Sequence, residues 1–296
     1  MVYLQQRFLN TIMSTFSTCT TSTRPGSPAN GDVLFETDTK SVILWDGSNW
    51  RGYENDGVSV SPISNTRSLF VDGTDDHAEV AGSAEIQISY PLTISAWIYP
   101  TLNAATGNAR TIISWGSAAS GQGRFLQLED SSNKLAFGTY QSQVTSSNAL
   151  SLNNWYHVAA TVTTGSTKLY VNGSLDTTSS NTLNSFTYTK THVGELYYSS
   201  TTAARHFAGN IDEVALYNSV LTDAEISQVY NSGNPIDLNS NAGSYTSSAN
   251  LKAWWRMGDG TEAGAGSTIY DMSTNDSNSD DLTIIQGSMT TSPTAP

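Results

Sequence analysis

The sequence predicts an all-β protein with one short helix, and three observations lead to this fold class. Hydrophobic residues make up 38% of the 296 residues and charged residues only 13%, so Ser, Thr, Asn and Gly supply most of the polarity. The chain contains 14 Tyr and 7 Trp, residue types that favour strands. Short alternating apolar segments recur between turn sequences, which is typical of a β-sandwich.

Charge and cysteine content exclude several classes of protein. The net charge of −13 argues against nucleic-acid binding, which needs basic patches, and is compatible with cation binding. Cys19 is the one cysteine, so an intrachain disulfide is excluded. No run approaches the roughly 20 apolar residues of a membrane span.

The N-terminal region divides into an arm and a compact unit. Residues 1–24 end in a Ser/Thr-rich run and are interpreted as an arm and linker that orders against a partner rather than as a secretory signal. Residues 25–57 contain two apolar strands around a polar turn, followed by the turn dipeptide Asp46-Gly47, which indicates a β-hairpin module.

Residues 58–233 carry the regular alternation of strands and turns. Leu92–Tyr99 alternates cleanly between two faces, Trp155–Val162 is predicted to be a central strand, and Asn172-Gly173 is predicted to form a type I′ turn. The strand Ile211–Tyr217 is predicted to place Asp212, Val214 and Leu216 on one face and Glu213 on the other.

The one predicted helix follows that strand. Thr222 as N-cap and Glu225 three residues later form a capping box, and Leu221 is placed to contact Ile226 as a hydrophobic staple. Gly233 is predicted to end the helix in the left-handed conformation.

Two segments resemble known families. The sequence GDVLFETDTKSVILWDGSNW resembles hairpin modules near the ends of bacteriophage tail-fibre and other virion proteins. The motifs SLFVDGTDDHAEV, LTISAWIYP, IISWG, NNWYHVAATV, KLYVNGSL and AGNIDEVALYNSVLTDAEI resemble, in this order, the laminin-G-like, concanavalin-A-like jelly-roll family. The second resemblance implies a jelly-roll sandwich, a fold that hosts lectins, adhesion modules and glycosidases.

Residues 234–296 form a predicted C-terminal β extension. LKAWWRMGDG resembles the strand that precedes the first jelly-roll strand in that family, yet here it comes late in the chain. The segment therefore either packs on its own sandwich or on a neighbouring subunit.

Acidic residues suggest a metal site. In the resembled family, a loop like Asp72-Gly73-Thr74-Asp75-Asp76 and the Asp of an Ile-Asp-Glu-Val strand lie near a structural calcium, which here implies Asp72, Asp76 and Asp212 as ligands. The alternative is that the turn aspartates only cap their own backbone through Asx-turns.

Candidate ligand-binding residues lie mainly in the segment 196–209, between two strands. Aromatic faces stack on sugars, and Arg or His side chains hydrogen-bond hydroxyl groups. The residues predicted to contact a glycan are Tyr197, Tyr198, Arg205, His206 and Trp115. The alternative is that the tyrosines fill a subunit contact.

Catalysis is not expected. Concanavalin-A-like glucanases use carboxylates at period two on one strand face, whereas Asp212 and Glu213 are adjacent. His157 is interpreted as a packed core histidine.

We therefore predict a non-enzymatic bacteriophage virion surface protein, a tail-fibre, tail-tip or capsid-decoration component with a lectin-like domain for host glycan or protein adhesion. The arm would contact other virion proteins, and a homo-oligomer such as a trimer is expected. The alternatives are a secreted, extracellular bacterial carbohydrate-binding module and, less favoured, a glycoside hydrolase.

Overall fold

The structure is a computed structural model, and it describes most of the chain. The described residues are 17–29, 32–36, 41–45, 48, 50–53, 60, 62–82, 86, 88, 90–105, 107–116, 123–139, 142–180, 190–197, 203–259, 266–275, 280–291 and 296. They fall into two compact units, residues 1–60 and residues 61–296. Within the described ranges, none of the helices has both the length and the apolar character that crossing a membrane requires.

The first unit is a four-stranded sheet in the order β1-β2-β3-β4. Its strands are β1 (Ser17–Cys19), β2 (Val33–Glu36), β3 (Ser41–Trp45) and β4 (Trp50–Tyr53). β1 pairs in parallel with β2, and the other pairs are antiparallel, as expected for the predicted hairpin. Cys19, Leu34, Ile43 and Trp50 form its small apolar core.

The second unit is a sandwich of two antiparallel sheets, which confirms the predicted all-β class with one short helix. Sheet A has the order β11-β10-β9-β8-β15-β6-β21-β20. Its strands are β6 (His77–Ala81), β8 (Arg110–Gly116), β9 (Gly123–Leu128), β10 (Lys134–Thr139), β11 (Ser142–Ala149), β15 (Lys190–Val193), β20 (Thr268–Ile269) and β21 (Leu282–Gln286).

Sheet B has the order β14-β13-β12-β7-β18-β5-β22, and β19 also pairs with β18. Its strands are β5 (Arg67–Asp72), β7 (Leu92–Pro100), β12 (Tyr156–Val162), β13 (Thr167–Val171), β14 (Ser174–Ser179), β18 (Ala208–Tyr217), β19 (Leu251–Trp255) and β22 (Ser288–Thr291). A short ribbon of β16 (Leu196–Tyr197) and β17 (Ala203–Ala204) lies between β15 and β18 in the sequence.

The core lies between the two sheets and follows the period-two pattern of the strands. Ile94 and Ile98 of β7 meet Leu126 of β9 and Phe137 of β10 in one buried cluster. The intervening residues of β9, Phe125 and Gln127, are outside that cluster, so they lie on the outer face of sheet A.

The helix α1 (Asp223–Tyr230) covers part of the outer face of sheet B. Trp97 of β7 stacks on Tyr230 with ring centroids 5.6 Å apart. The predicted capping box is present, since the Glu225 amide donates to Thr222 Oγ1 at 3.2 Å and the Thr222 amide donates to Glu225 Oε2 at 2.8 Å. The predicted stop at Gly233 is wrong, because Asn231 already adopts the left-handed conformation at φ 43°.

The C-terminal segment contributes strands to both sheets of its own chain. β19 pairs with β18, β21 pairs with β6, and β22 pairs with β5. Both adjacent tryptophans, Trp254 and Trp255, are buried. Asn172 and Gly173 have φ values of 49° and 73°, as the predicted type I′ turn requires.

Candidate functional site

A polar cavity of about 230 Å³ opens on the outer face of sheet A, at its β9–β11 end. The residues that line it come from two strands, β9 and β11, and three connecting segments: Ala109, Phe125, Gln127, Glu129, Asp130, Ser142, Gln143 and Arg205. Strand alternation explains the set, because Leu126 and Leu128 point into the core while Phe125 and Gln127 point outward. We call this cavity the sheet A pocket.

A chain of hydrogen bonds fixes the polar wall of the pocket. Gln127 Nε2 donates to Gln143 Oε1 at 3.3 Å, and Gln143 Nε2 donates to Glu129 Oε1 at 2.8 Å. Glu129 Oε2 accepts from the Ser132 hydroxyl at 2.9 Å. The Gln127 side chain is buried, and its Oε1 has no hydrogen-bond partner within the described ranges. The pocket therefore contains an amide oxygen, Gln127 Oε1, that can accept a hydrogen bond from a ligand.

Arg205 reaches this pocket from the segment before β18. Its backbone adopts φ 62°, a left-handed conformation that is uncommon for a residue other than glycine. Its carbonyl accepts the amide N–H of Thr111 at 2.9 Å. The next carbonyl, of His206, accepts from Arg110 Nη1 at 3.0 Å. These two hydrogen bonds anchor the backbone in the left-handed turn. The side chain of Arg205 lines the sheet A pocket, and the side chain of His206 faces a different site.

His206 belongs to a second polar site on sheet A, which we call the His/Glu cluster: His77, Glu79, His192, Glu195 and His206. His206 Nδ1 lies 3.5 Å from Glu195 Oε2. Burial lowers the pKa of His206, against the opposing effect of the Glu195 carboxylate. For Glu79, burial alone would raise the pKa, but Lys190 and the nearby imidazoles together lower it.

The other predicted glycan contacts lie elsewhere. The Trp115 side chain is only 2% exposed and packs against Phe137 in the core, so its ring face is closed to a ligand. The prediction for Trp115 overlooked that β8 directs this residue inward. Tyr197 is in β16, but its side chain lies outside the described part of the structure, as does the whole of Tyr198.

Asp72 and Asp76 stay together in the predicted acidic turn, with Asp75 beside them. Asp76 Oδ2 accepts the amide of Asp72 at 3.0 Å, and Asp72 Oδ1 accepts the amide of Thr74 at 2.7 Å. These are the Asx-type contacts of the alternative interpretation. Burial raises the pKa of Asp76, and its acidic neighbours add to that rise.

Asp212 does not join this turn. Asp72 pairs with Ala208, and Asp212 lies four residues further along β18, roughly 13 Å away at the rise of a strand. Its Oδ2 accepts from the Asn65 side chain at 2.9 Å and its Oδ1 from the Glu213 amide at 2.8 Å. The three predicted calcium ligands therefore do not converge on one ion, and a calcium ion at the turn alone stays a prediction.

A bulge in β18 changes the predicted faces of Asp212 and Glu213. Glu213 adopts φ 46°, and the pairing with β7 shifts register between Asp212 and Ala215. Ile211 and Val214 consequently both reach the core, which strict alternation forbids. The prediction that Val214 shares a face with Asp212 and not with Ile211 assumed a regular strand and is wrong at this point.

The candidate residues predicted from the sequence did not include the pocket residues Phe125, Gln127 and Gln143. Leu126 to Leu128 reads apolar, polar, apolar, and that signal places Gln127 on the outer face. The distance in sequence between Gln127, Gln143 and Arg205 hides their convergence, which only the sheet order produces.

Comparison with known proteins agrees with this architecture. Residues 72–227, more than half of the chain, match the family described as the concanavalin A-like lectin/glucanases superfamily. The chain belongs to this superfamily. No curated protein matches the sequence.

Among solved structures, this concanavalin A-like chain is similar to a putative carbohydrate binding protein from Bacteroides ovatus. The TM-score is 0.57 and the identity 18%, over 89% of this chain and 70% of that one. It also matches the CBM40 of the Ruminococcus gnavus IT-sialidase, with a TM-score of 0.45 and 16% identity over 57% of this chain and 100% of that one. Only the first similarity is close enough to support the fold.

Proposed function

We propose that this concanavalin A-like protein is a non-enzymatic carbohydrate-binding protein and that the sheet A pocket is its sugar site. The observation that carries the proposal is the buried Gln127 Oε1, an acceptor with no hydrogen-bond partner in the described part of the chain, which lines the pocket. A buried polar group without a partner is costly, and a sugar hydroxyl is a donor that satisfies it.

The rest of the pocket suits a sugar ring. The amides of Gln127 and Gln143 and the guanidinium of Arg205 supply planar donors and acceptors, and Phe125 adds an apolar surface. Glu129 and Asp130 contribute two carboxylates against the one guanidinium, so a neutral or hydroxyl-rich sugar fits better than an acidic one.

The adjacent acids of β18 favour binding over hydrolysis. Asp212 and Glu213 are buried among Asn65, Trp254 and Arg256, away from an open groove. A hydrolase needs two carboxyl groups on either side of an accessible glycosidic bond.

A glycan array followed by calorimetry with the best ligand tests the proposal. Arg205→Ala should weaken binding about 10–100-fold, as expected for a hydrogen bond from a charged group, and Gln127→Leu about 2–12-fold. Arg67→Ala, which removes an equal charge at the start of β5, should leave affinity unchanged. Unchanged affinity in both pocket variants would show that the sugar binds elsewhere.

We also propose a virion surface as the location, on the resemblance of residues 25–57 to virion hairpin modules. The first unit has its own four-stranded sheet and core, as a separate attachment module requires. Light scattering on the full chain is the test. A stable trimer supports a virion fibre or decoration protein, and a monomer with a processed N-terminus supports the secreted alternative.

A further inference from the structure

Three imidazoles and two carboxylates converge in the His/Glu cluster. His77 and Glu79 lie two residues apart on β6 and share its outer face, and His192 of β15 pairs with Glu79 in register. Glu195 lies on the turn after β15, and His206 lies just before β18. The cluster thus depends on four separate segments of the chain.

The neighbours of two imidazoles determine which ring nitrogen carries the proton in the neutral form. His77 Nδ1 lies 3.2 Å from the carbonyl oxygen of Asp75, and His192 Nδ1 lies 2.6 Å from Glu195 Oε1. Both neighbours only accept hydrogen bonds, so each Nδ1 carries a proton, and in the neutral form of each ring Nε2 carries the lone pair. This arrangement, Nδ1–H held by an oxygen, is the one that orients metal-binding histidines.

Other imidazole nitrogens face carboxylate oxygens at short range. His77 Nε2 lies 3.3 Å from Glu195 Oε1, and His192 Nε2 lies 3.4 Å from Glu79 Oε2. His206 Nδ1 lies 3.5 Å from Glu195 Oε2, and neither atom has a hydrogen-bond partner among the residues that the structure covers. A ring nitrogen that carries its lone pair repels a carboxylate oxygen unless a cation, either a metal ion or a ring proton, lies between them. Glu195 is 2% exposed, so bulk water screens it little.

We propose that His77, Glu79 and His192 bind a divalent transition metal ion of the zinc type, with Glu195 holding Nδ1 of His192 and the Asp75 carbonyl holding Nδ1 of His77. One ligand atom from each of the three residues lies within 4.8 Å of the other two. Zinc–nitrogen and zinc–oxygen bonds of about 2.0–2.2 Å bring tetrahedral ligand atoms to about 3.4 Å apart. A side-chain movement of about 1 Å closes this gap.

The ligand types select the metal. Two imidazoles and one carboxylate suit zinc, nickel or copper, whereas calcium takes oxygen ligands. The side chains of His77 and Glu79 are 13% and 23% exposed, which gives an entry path and room for a water ligand. Lys190 holds both Glu79 oxygens at 2.7 Å, but its side chain is 39% exposed, so it can turn outward at little cost.

Cobalt and zinc titrations of the chelator-treated full chain test the site. Co²⁺ should produce the visible bands of a four-coordinate site, saturate at one equivalent, and be displaced by Zn²⁺. His77→Gln and Glu79→Gln should abolish the bands, and Glu195→Gln should weaken binding roughly 10–100-fold. Asp176→Asn, which likewise removes one carboxylate charge but lies on β14 of sheet B, should bind like the wild type.

A variant could also lose metal binding because it unfolds. A second measurement, on the wild-type protein, avoids this ambiguity. Nitrogen-15 NMR of the imidazoles should show Zn²⁺ shifting Nε2 of His77 and His192, with His157 unmoved. Absence of saturable binding, cobalt–thiolate absorption from Cys19, or binding retained in both ligand variants would overturn the proposal. The proposal would also be overturned if the His77 and His192 rings were protonated near pH 7 and their spectra did not change on addition of Zn²⁺. Protons would then be the cations that lie between the imidazoles and the carboxylates.

Discussion

Trp254 donates its indole N–H to Glu213 Oε2 at 2.6 Å, while Arg256 donates from Nε to the other oxygen of the same carboxylate at 3.0 Å. A residue of the C-terminal segment thus neutralises an acid of the central strand β18. Arg256 further donates to the carbonyls of Asp259 and Ser64 at 2.9 and 2.6 Å. These contacts join three distant parts of the chain around one guanidinium.

Arg256→Gln is expected to destabilise the protein by about 3–5 kcal/mol, because it leaves the Glu213 carboxylate buried without its cation. Urea unfolding measures the change. The double variant Glu213→Gln with Arg256→Gln should recover part of the loss, since the unpaired charge is then gone. Equal stability of the single and double variants would show that the ion pair is not the source.

The acids of β18 are expected to make the fold more stable at mildly acid pH. Burial raises the pKa of Glu213 to about 7, although Arg256 lowers it, and burial together with Glu213 raises the pKa of Asp212. The folded state then binds more protons than the unfolded state, so the free energy of unfolding falls as pH rises from about 4.5 to 7. The Glu213 contribution is on the order of 3 kcal/mol.

Urea titrations at pH 5, 6, 7 and 8 on wild type and Glu213→Gln measure this contribution. The variant should lose most of the decline in stability between pH 5 and 7. A difference between the two proteins that stays constant over this range would contradict the shifted pKa.

His157 is expected to act in the opposite direction. Complete burial lowers its pKa to about 3. A base with a depressed folded pKa contributes stability above its unfolded pKa near 6.5, and that contribution is lost as pH falls toward 3. The loss amounts to about 2 kcal/mol between pH 6.5 and 5.

His157→Phe removes this titration, so the difference in unfolding free energy between wild type and variant should shift by about 2 kcal/mol in favour of the variant between pH 7 and 5. The ring packs against both Trp97 and Tyr230, which an apolar aromatic substitute can still contact. A difference in unfolding free energy that does not change with pH would contradict the lowered pKa of His157. It would mean that the imidazole becomes hydrated in the folded protein at low pH.

Glu225→Ala is expected to cost more stability than Thr222→Ala. Removing the N-cap costs about 0.5–2 kcal/mol. Glu225 also accepts from the hydroxyls of Ser247 and Thr246 at 2.6 and 3.0 Å, so its loss removes two further hydrogen bonds to a carboxylate. Thermal unfolding measures both variants. Ser227→Ala, on the exposed side of α1, is the control and should change stability by less than about 0.5 kcal/mol.

Features set by neighbouring residues were predictable from the sequence. The capping box depends on Thr222 and Glu225 alone, and the type I′ turn depends on Asn172-Gly173, so local chemistry determines both. The bulge at Glu213 was not predictable, because the indole of Trp254 and the guanidinium of Arg256 hold its carboxylate from 41 and 43 residues away in the sequence. The sheet A pocket was not predictable for the same reason. Gln127, Gln143 and Arg205 are far apart in the sequence, and the order of the strands in the sheet brings them together.

Strands β21 and β22 also determine where the chain can be shortened. The family match ends at residue 227, yet these two strands, joined at Gly287, pair with β6 of sheet A and β5 of sheet B. A chain ending at residue 227 would expose one edge of each sheet, with unpaired N–H and C=O groups that can pair with other molecules. Aggregation of such a fragment would therefore reflect two unprotected edges, whatever the quality of its core.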